Sequence, residues 1–514
     1  MNIPDWVFDA VFYQIFPDRF ASSSRVEKPQ ALEAWDSPST VHGFKGGDLL
    51  GVAERLDYLE DLGVNAIYLN PVFQSAANHR YHTHDYFQVD PLLGGNGALR
   101  DLIDNAHKKG MHIILDGVFN HASRGFFQFN HILENGAHSP FIDWFHVDKQ
   151  RLAEGEGLDA YPSRGTLSQA RKEQNSFELL GYRGWWDLPE LPKFRVETPE
   201  VREFLLGVAR HWISFGADGW RLDVPEEIPD RSFWQEFRSE VRKINPDAYL
   251  LGEIWTNAAS WLEGDRFDAV MNYVFNRACV GFFGGESIDP GYAPGGFTLS
   301  VLSAVDFRNV LHELMEQYAW PLPLAQYNLL SSHDEARFLT ASGGDMKALI
   351  LATLFQVTFP GVPGIYYGDE VGMVGGEDPL CRGPFPWDPA AWSVEILHAC
   401  KAALRLRREH VALRRGTFQW LDVFGGERVI AFRRSHREEE IVCVMNAGPQ
   451  TAVVNLNVGH LFGEGVTTVV NVWQDAATGT GTASYRVRDG VVPSLQVDGK
   501  RAVVLALQQS ENVR

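Results

Sequence analysis

Short apolar runs, each followed by an amphipathic stretch, recur eight times in the first 370 residues, and nothing else in the chain constrains its fold as much. The runs are Val11–Phe16, Ala66–Asn70, His112–Asp116, Gly219–Asp223, Tyr249–Ile254, Ala269–Tyr273, Tyr327–His333 and Gly364–Gly368. Between them, Asp48–Leu62 places Leu49, Val52, Leu56, Leu59 and Leu62 near one helical face, and Glu200–Phe215 and Met346–Phe359 behave similarly. Thr198-Pro199-Glu200 reads as a cap followed by proline at the first helical position, and Gly63 and Gly110 follow helix ends. Alternating strands and helices predict an α/β fold with a parallel sheet, and eight is the number that closes a (β/α)8 TIM barrel. An open doubly wound sheet fits the same periodicity.

Two stretches break the alternation. From Phe119 to Glu197 no βα unit is visible, and the span is too long for a plain loop, so it reads as a subdomain inserted after the third strand. Beyond Gly416 the period changes. Val429–Arg434, Ile441–Val444, Ala452–Leu456, Thr467–Val472 and Ala502–Leu507 alternate apolar and polar residues, which predicts an antiparallel β-sandwich. The expected organisation is therefore a barrel in two parts, residues 1–118 and 198–415, an insertion at 119–197 and a sandwich at 416–514.

Charge narrows the partners. With 46 Lys and Arg against 66 Asp and Glu, the formal net charge is −20, which argues against nucleic acid or an anionic membrane as partner. No apolar run approaches the roughly 20 residues that span a bilayer. Met1 to Trp6 has neither a basic nor an apolar leader region, and the four cysteines (Cys279, Cys381, Cys400, Cys443) lack metal-ligand spacing. These features point to a cytoplasmic protein with reduced thiols.

In a barrel of this type, chemistry sits where strands end and loops begin. Asp116, Asp223 and Glu253 close three of the apolar runs, and Asp334 follows a fourth. A carboxylate at the tip of a buried strand costs desolvation unless something pairs with it. One could be a capping residue; four at one end of one sheet ask for a shared purpose. Arg221 lies two residues before Asp223, on the same face of an extended strand, and a neighbouring cation favours an ionised carboxylate. That suits a nucleophile. Glu253 suits the acid, because its longer side chain reaches a leaving oxygen, and Asp223 together with a Trp255 wall would raise its pKa. Such a pair, about 5–5.5 Å apart, cleaves glycosides by double displacement. The bare residue types also allow a two-metal hydrolase.

At these residues the sequence resembles the alpha-amylase family, glycoside hydrolase family 13. The motifs are Asp116-Gly117-Val118-Phe119-Asn120-His121, Gly219-Trp220-Arg221-Leu222-Asp223, Gly252-Glu253-Ile254-Trp255 and Ser332-His333-Asp334, in the family's order. The resemblance implies Asp223 as nucleophile, Glu253 as general acid/base and Asp334 as transition-state stabiliser. It also implies Arg221, His121 and His333 as partners of the scissile sugar and Tyr81 as the platform beneath it.

The likeness is closer to the cyclomaltodextrinase, neopullulanase and maltogenic amylase group. It rests on Val11–Phe20, Asp85-Tyr86-Phe87, Leu133–Gly136, Asp143-Trp144-Phe145, Leu191-Pro192-Lys193-Phe194 and Ile365–Met373. It implies hydrolysis of α-1,4 bonds in cyclodextrins and maltodextrins, with α-1,6 cleavage and glycosyl transfer as further capacities. Asp378 and Arg382 match residues that contact distal sugars.

Two departures stand out. The group's N-terminal sandwich, which closes a partner's cleft, is missing before Trp6, so the usual dimer is not expected and the oligomeric state stays open. The calcium loop after the first strand is replaced by Ala21–Pro29, leaving only Gly47 and Asp48 of the oxygen ligands. Calcium wants six to eight oxygens, so no cofactor and no metal is assigned.

His79, His82 and His84 match no standard zinc spacing and read as a loop lining the cleft. Asp116 reads as a buried support for Arg221, and Asn120 as a tie between insertion and barrel. Trp185 and Trp186 are either a subsite wall or packing of the insertion. Glu226 and Glu227 either shape the leaving-group side or open a helix. A 4-α-glucanotransferase or glucosyl isomerase on the same scaffold is the alternative within enzymes. A non-catalytic barrel partner of a transporter is the remote one.

Overall fold

The structure, a computed structural model, describes residues 3–507 apart from 290, 438, 460, 463–465 and 475–482. Eight parallel strands form the first body: β1 (Phe12–Ile15), β2 (Ala66–Leu69), β3 (His112–Gly117), β4 (Gly219–Leu222), β5 (Tyr249–Gly252), β6 (Ala269–Val270), β7 (Tyr327–Leu329) and β8 (Val362–Tyr366). Their order is β6-β5-β4-β3-β2-β1-β8-β7. A parallel bridge between Met271 and Tyr327 joins the two ends, so the sheet closes as a barrel and the open doubly wound alternative is excluded.

Period-two alternation sorts the side chains. Phe12, Tyr68, Ile114, Tyr249, Leu251, Tyr327 and Leu329 pack together as a barrel-interior cluster. Their strand neighbours Tyr13, Ile67, Leu69, Ile113, Leu115, Trp220 and Leu250 pack against the surrounding helices. The interior leaves little room. A side chain at Gly364 would place its first carbon 2.1 Å from the Tyr327 ring.

The periodic helices appear at Pro199–Ser214 and Met346–Thr358. Two local expectations need correction. The stretch expected as one helix over Asp48–Leu62 is two, Leu49–Ala53 and Leu56–Leu62. The backbone leaves the helical region at Arg55 (φ −109°, ψ 9°), and the Arg55 guanidinium lies 4.0 Å over the Trp387 ring. Thr198 precedes its helix without a side-chain cap, because its hydroxyl donates to the Asp143 carbonyl.

Between β3 and the helix that follows it, the chain makes short helices at Phe127–Asn135, Lys149–Ala153, Arg164–Glu173 and Ser176–Leu180. Isolated bridges from His121 to Lys193 and from Phe145 to Phe194 return it to the barrel.

The C-terminal region is an antiparallel sandwich of a six-stranded and a three-stranded sheet. Val429, Ala431, Val442, Val444, Val503 and Leu505 meet Val454, Leu456, Val492, Leu495 and Val497 between the sheets. The alternate residues Ile430, Phe432, Ile441 and Cys443 face the barrel's helices, where the Phe432 ring sits edge-on to Phe355 at 5.7 Å. The larger sheet is thus buried on both faces, which welds the two bodies into one unit.

Candidate active site

The barrel's inward faces end in polar groups at the C-terminal ends of the strands. The β3–β4 register pairs Asp116 with Arg221, and the β4–β5 register pairs Arg221 with Leu251. Two residues on, Asp223 and Glu253 therefore share the interior face with Arg221. Arg221 is fully buried and holds all three acids. Its Nη1 donates to Asp116 Oδ1 (3.0 Å) and Asp223 Oδ1 (3.0 Å), and its Nη2 pairs with Glu253 Oε2 at 2.9 Å. Two carboxyls forked onto one planar guanidinium are held close together.

Asp223 is 6% exposed, and its second oxygen, Oδ2, is buried with no partner. A buried anion's free oxygen is costly unless a ligand uses it. Glu253 accepts from Val224 N at 3.0 Å and from Trp255 Nε1 at 3.1 Å. Val224 is β-branched with φ 35° and ψ 53°, a left-handed conformation that costs about 1–3 kcal/mol. The strained turn aims its N–H at the acid. Trp255 is not the apolar wall expected from sequence: its edge donates to Glu253, and its face stacks on Tyr273 at 3.7 Å.

Burial, then the charge of Glu253, push the Asp223 carboxyl well above the usual range, and Arg221 pulls it down. The cation expected to set this ionisation acts, but it is outweighed. Asp116 accepts from Tyr68 Oη (2.6 Å) and Tyr81 Oη (2.9 Å) besides Arg221, so its oxygens face protein groups.

Beyond β7 the chain turns inward at His333 and Asp334. Gln14 Nε2 donates to His333 Nδ1 (2.9 Å), which leaves the proton on Nε2, between Tyr81 Oη (2.5 Å) and Asp334 Oδ2 (3.2 Å). Burial holds His333 well below the usual histidine range, so the ring is neutral. The Tyr81 ring is parallel to it within 5°, and its hydroxyl accepts from Asn70 Nδ2 at 3.1 Å. Burial and then Glu253 push Asp334 up to about 7. Arg382 Nη2 stands 3.5 Å from Asp334 Oδ1, its Nη1 pairs with Asp378 at 3.0 Å, and its Nε donates to the His333 carbonyl. Arg382 is therefore brought to the site, and Asp378 joins it from the rim.

On the insertion's side, Asn120 Nδ2 donates to His121 Nδ1 (3.2 Å), and the Asn120 carbonyl accepts from Phe194 N. His121 is pushed down to about 3 by burial, and its Nε2 is a buried, unspent donor. Trp185 stacks on His121 at 5.1 Å, so the tryptophan pair borders the cleft. Glu227 pairs with Lys193 at 2.6 Å. His79 and His82 meet edge to face at 4.8 Å beside Tyr81.

Sequence reasoning missed Gln14, Asn70 and Tyr68. All three are polar groups on the inward face of a strand tip, the same signal that identified the acids. Attention to carboxylates alone passed over them.

The residues do not fit a calcium at the first loop. Asp48 is fully buried, and its oxygens take Lys28 Nζ (3.0 Å), Ser23 N (2.8 Å) and Gly51 N (2.7 Å), while Lys28 Nζ also donates to the Leu92 carbonyl. An ammonium stands where a bound cation would need Asp48. Among the described residues, no group of three or more His, Cys, Asp or Glu is placed to hold a metal. Nor is any helix among them long and apolar enough to cross a membrane.

The chain matches the family model described as alpha amylase, catalytic domain, over residues 14–422. It is similar to a cyclomaltodextrinase from Bacillus sp, 42% identical over 86% of this chain and 73% of that one. It is also similar to neopullulanase 2 from Thermoactinomyces vulgaris, 39% identical over 93% of this chain and 74% of that one. Among solved structures, Ttha1563 from Thermus thermophilus is 44% identical, with a TM-score of 0.88 over 98% of this chain and 100% of that one. Closed barrel, acids at its strand tips and whole-chain likeness agree: the chain belongs to the alpha-amylase family and is a glycoside hydrolase.

Proposed function

We propose that the protein is a retaining α-glucan hydrolase that cleaves α-1,4 glucosidic bonds of cyclodextrins and maltodextrins, with cleavage of α-1,6 bonds in branched glucans as a further capacity. The observation that carries this reading is the pair Asp223 and Glu253 on one guanidinium, with Asp223 Oδ2 unspent. Double displacement needs carboxyls about 5–5.5 Å apart; inversion needs about 6.5–9.5 Å, with a water between them. One guanidinium spanning both acids favours the shorter spacing.

In the first half-reaction Asp223 Oδ2 bonds to the anomeric carbon. The glycosidic C–O bond breaks, and Glu253 gives its proton to the leaving oxygen. In the second, Glu253 takes a proton from water as the water oxygen bonds to the anomeric carbon, and the Asp223 carboxylate leaves. Tyr81 offers its face beneath the sugar, and His121 Nε2–H, His333 and Asp334 offer hydrogen bonds to its hydroxyls. These bonds can tighten as the ring flattens. The substrate class is supported by the names of the similar proteins, a cyclomaltodextrinase and a neopullulanase. We also assign the protein to the cytoplasm, a compartment that suits its four buried, unpaired thiols.

The test pairs β-cyclodextrin, maltotriose, pullulan and starch with product chromatography and the anomeric configuration of the first product. Retained α-configuration is expected. Asp223→Ala and Glu253→Gln should each lose several orders of magnitude in turnover while keeping the fold. Near-normal turnover in either variant, with contaminating activity excluded, would overturn the assignment.

A further inference from the structure

The turn Gly184–Leu188 carries two consecutive non-glycine residues in the left-handed region, Trp186 (φ 52°) and Asp187 (φ 55°). The turn aligns three rings. Trp185 lies on His121 at 5.1 Å and 12°, and Trp186 lies on Trp185 at 4.7 Å and 15°. The stack begins at a fully buried histidine inside the site and ends at an indole that is 73% exposed. Among the described residues, no further ring stacks on the outer face of Trp186. The Trp185 Nε1–H is buried and unspent.

Beside the stack is a cavity of about 690 Å³ with a polar rim: Arg171, Gln174, Lys193 and Glu227. Its place is set by Glu227. That residue pairs with Lys193, whose backbone bridges to His121, and lies three residues after Val224, whose N–H donates to Glu253, the proposed acid. The cavity therefore lies on the side from which the leaving group departs and an acceptor arrives.

Packing does not account for this geometry. A tryptophan normally earns its place by burying its rings, and Trp186 leaves most of its surface in water on a strained backbone. A flat apolar face beside hydrogen-bonding groups suits a pyranose: its C–H face lies on the indole and its hydroxyls reach the rim. We propose that Trp186, backed by Trp185, is the platform for a glucosyl unit of an acceptor maltodextrin, which directs the glycosyl-enzyme toward transfer as well as hydrolysis. The inference rests on the double-displacement reading. In the transfer step the acceptor hydroxyl oxygen bonds to the anomeric carbon, its proton passes to Glu253, and the ester bond to Asp223 breaks.

The experiment measures how the glycosyl-enzyme formed from maltotriose partitions among water, added maltose and added methanol. These ratios read the second half-reaction alone. Trp186→Gly is the informative variant, because glycine adopts a left-handed turn without strain and the loop keeps its path. The maltose-to-water ratio should fall about tenfold, as loss of one stacking contact implies. The methanol-to-water ratio should hold, since methanol has no ring to stack, and Trp186→Tyr should recover part of the loss. An unchanged maltose ratio, or one falling in step with methanol, would overturn the platform. An inverted methyl glycoside would instead remove the double-displacement reading and this inference with it, so the two failures are told apart.

Discussion

Replacing Arg221 with methionine removes the cation that three carboxyls share while keeping a side chain of similar reach. The guanidinium stands 3.0 Å from Asp223 and 3.0 Å from Asp116. At an effective dielectric constant of about 20, one such pair is worth about 5.5 kcal/mol, or about four pKa units at 1.36 kcal/mol each. Water entry and relaxation reduce this, and we expect about half to survive. Arg221 favours the ionised carboxylate, so its loss raises the pKa of Asp223. A nucleophile that must be ionised then works only at higher pH. The acid limb of kcat/KM against pH should move up by about two units, and activity on maltotriose near pH 6 should fall at least about a hundredfold. Arg221→Lys keeps the charge but not the fork, so its limb should move less. Stability follows the same sign. Carboxyls whose folded pKa is raised lose stability as pH rises toward that pKa, so the melting-temperature gap to the parent should widen from pH 5 to pH 8. An acid limb that coincides with the parent's would refute the reasoning.

Three further outcomes follow from groups outside the reaction. Glu335 is fully buried beside Asp334, neither of its oxygens has a partner, and burial pushes it up to about 8 from 4.5. Its folded pKa is the higher, so stability is lost as pH rises from 4.5 to 8, by about 3 kcal/mol at pH 7. Glu335→Gln should therefore gain melting temperature relative to the parent with rising pH; a gap independent of pH would contradict this. At the first loop, chelation with EDTA should leave activity and melting temperature unchanged, because Lys28 already pairs with Asp48. Lys28→Met should cost about 3 kcal/mol by leaving the buried Asp48 carboxylate without its cation. A chelator-induced drop in melting temperature would show that a metal is held after all.

Strand periodicity is local, so β3 to β5 and the acids at their tips could be read directly. Arg221 and Asp223 share a face because they lie two residues apart, which holds in any extended strand. Gln14, Asn70 and Tyr68 carried the same local signal, but nothing local says which strand lies beside which. The split of Asp48–Leu62 at Arg55 and the diverted Thr198 hydroxyl depend on Trp387 and Asp143, partners far along the chain.

What the chain determines by itself is the periodic order of its elements and the chemical type of each strand tip, because both rest on near neighbours and on side-chain alternation. Only the closed barrel decided that Asp116, Asp223 and Glu253 converge on one guanidinium, that Trp255 donates to the acid through its edge, and that the Trp185–Trp186 pair borders the cleft. Those facts are distances between distant segments. Proton placement among crowded buried acids depends on such distances and on burial, and neither exists before the chain has folded.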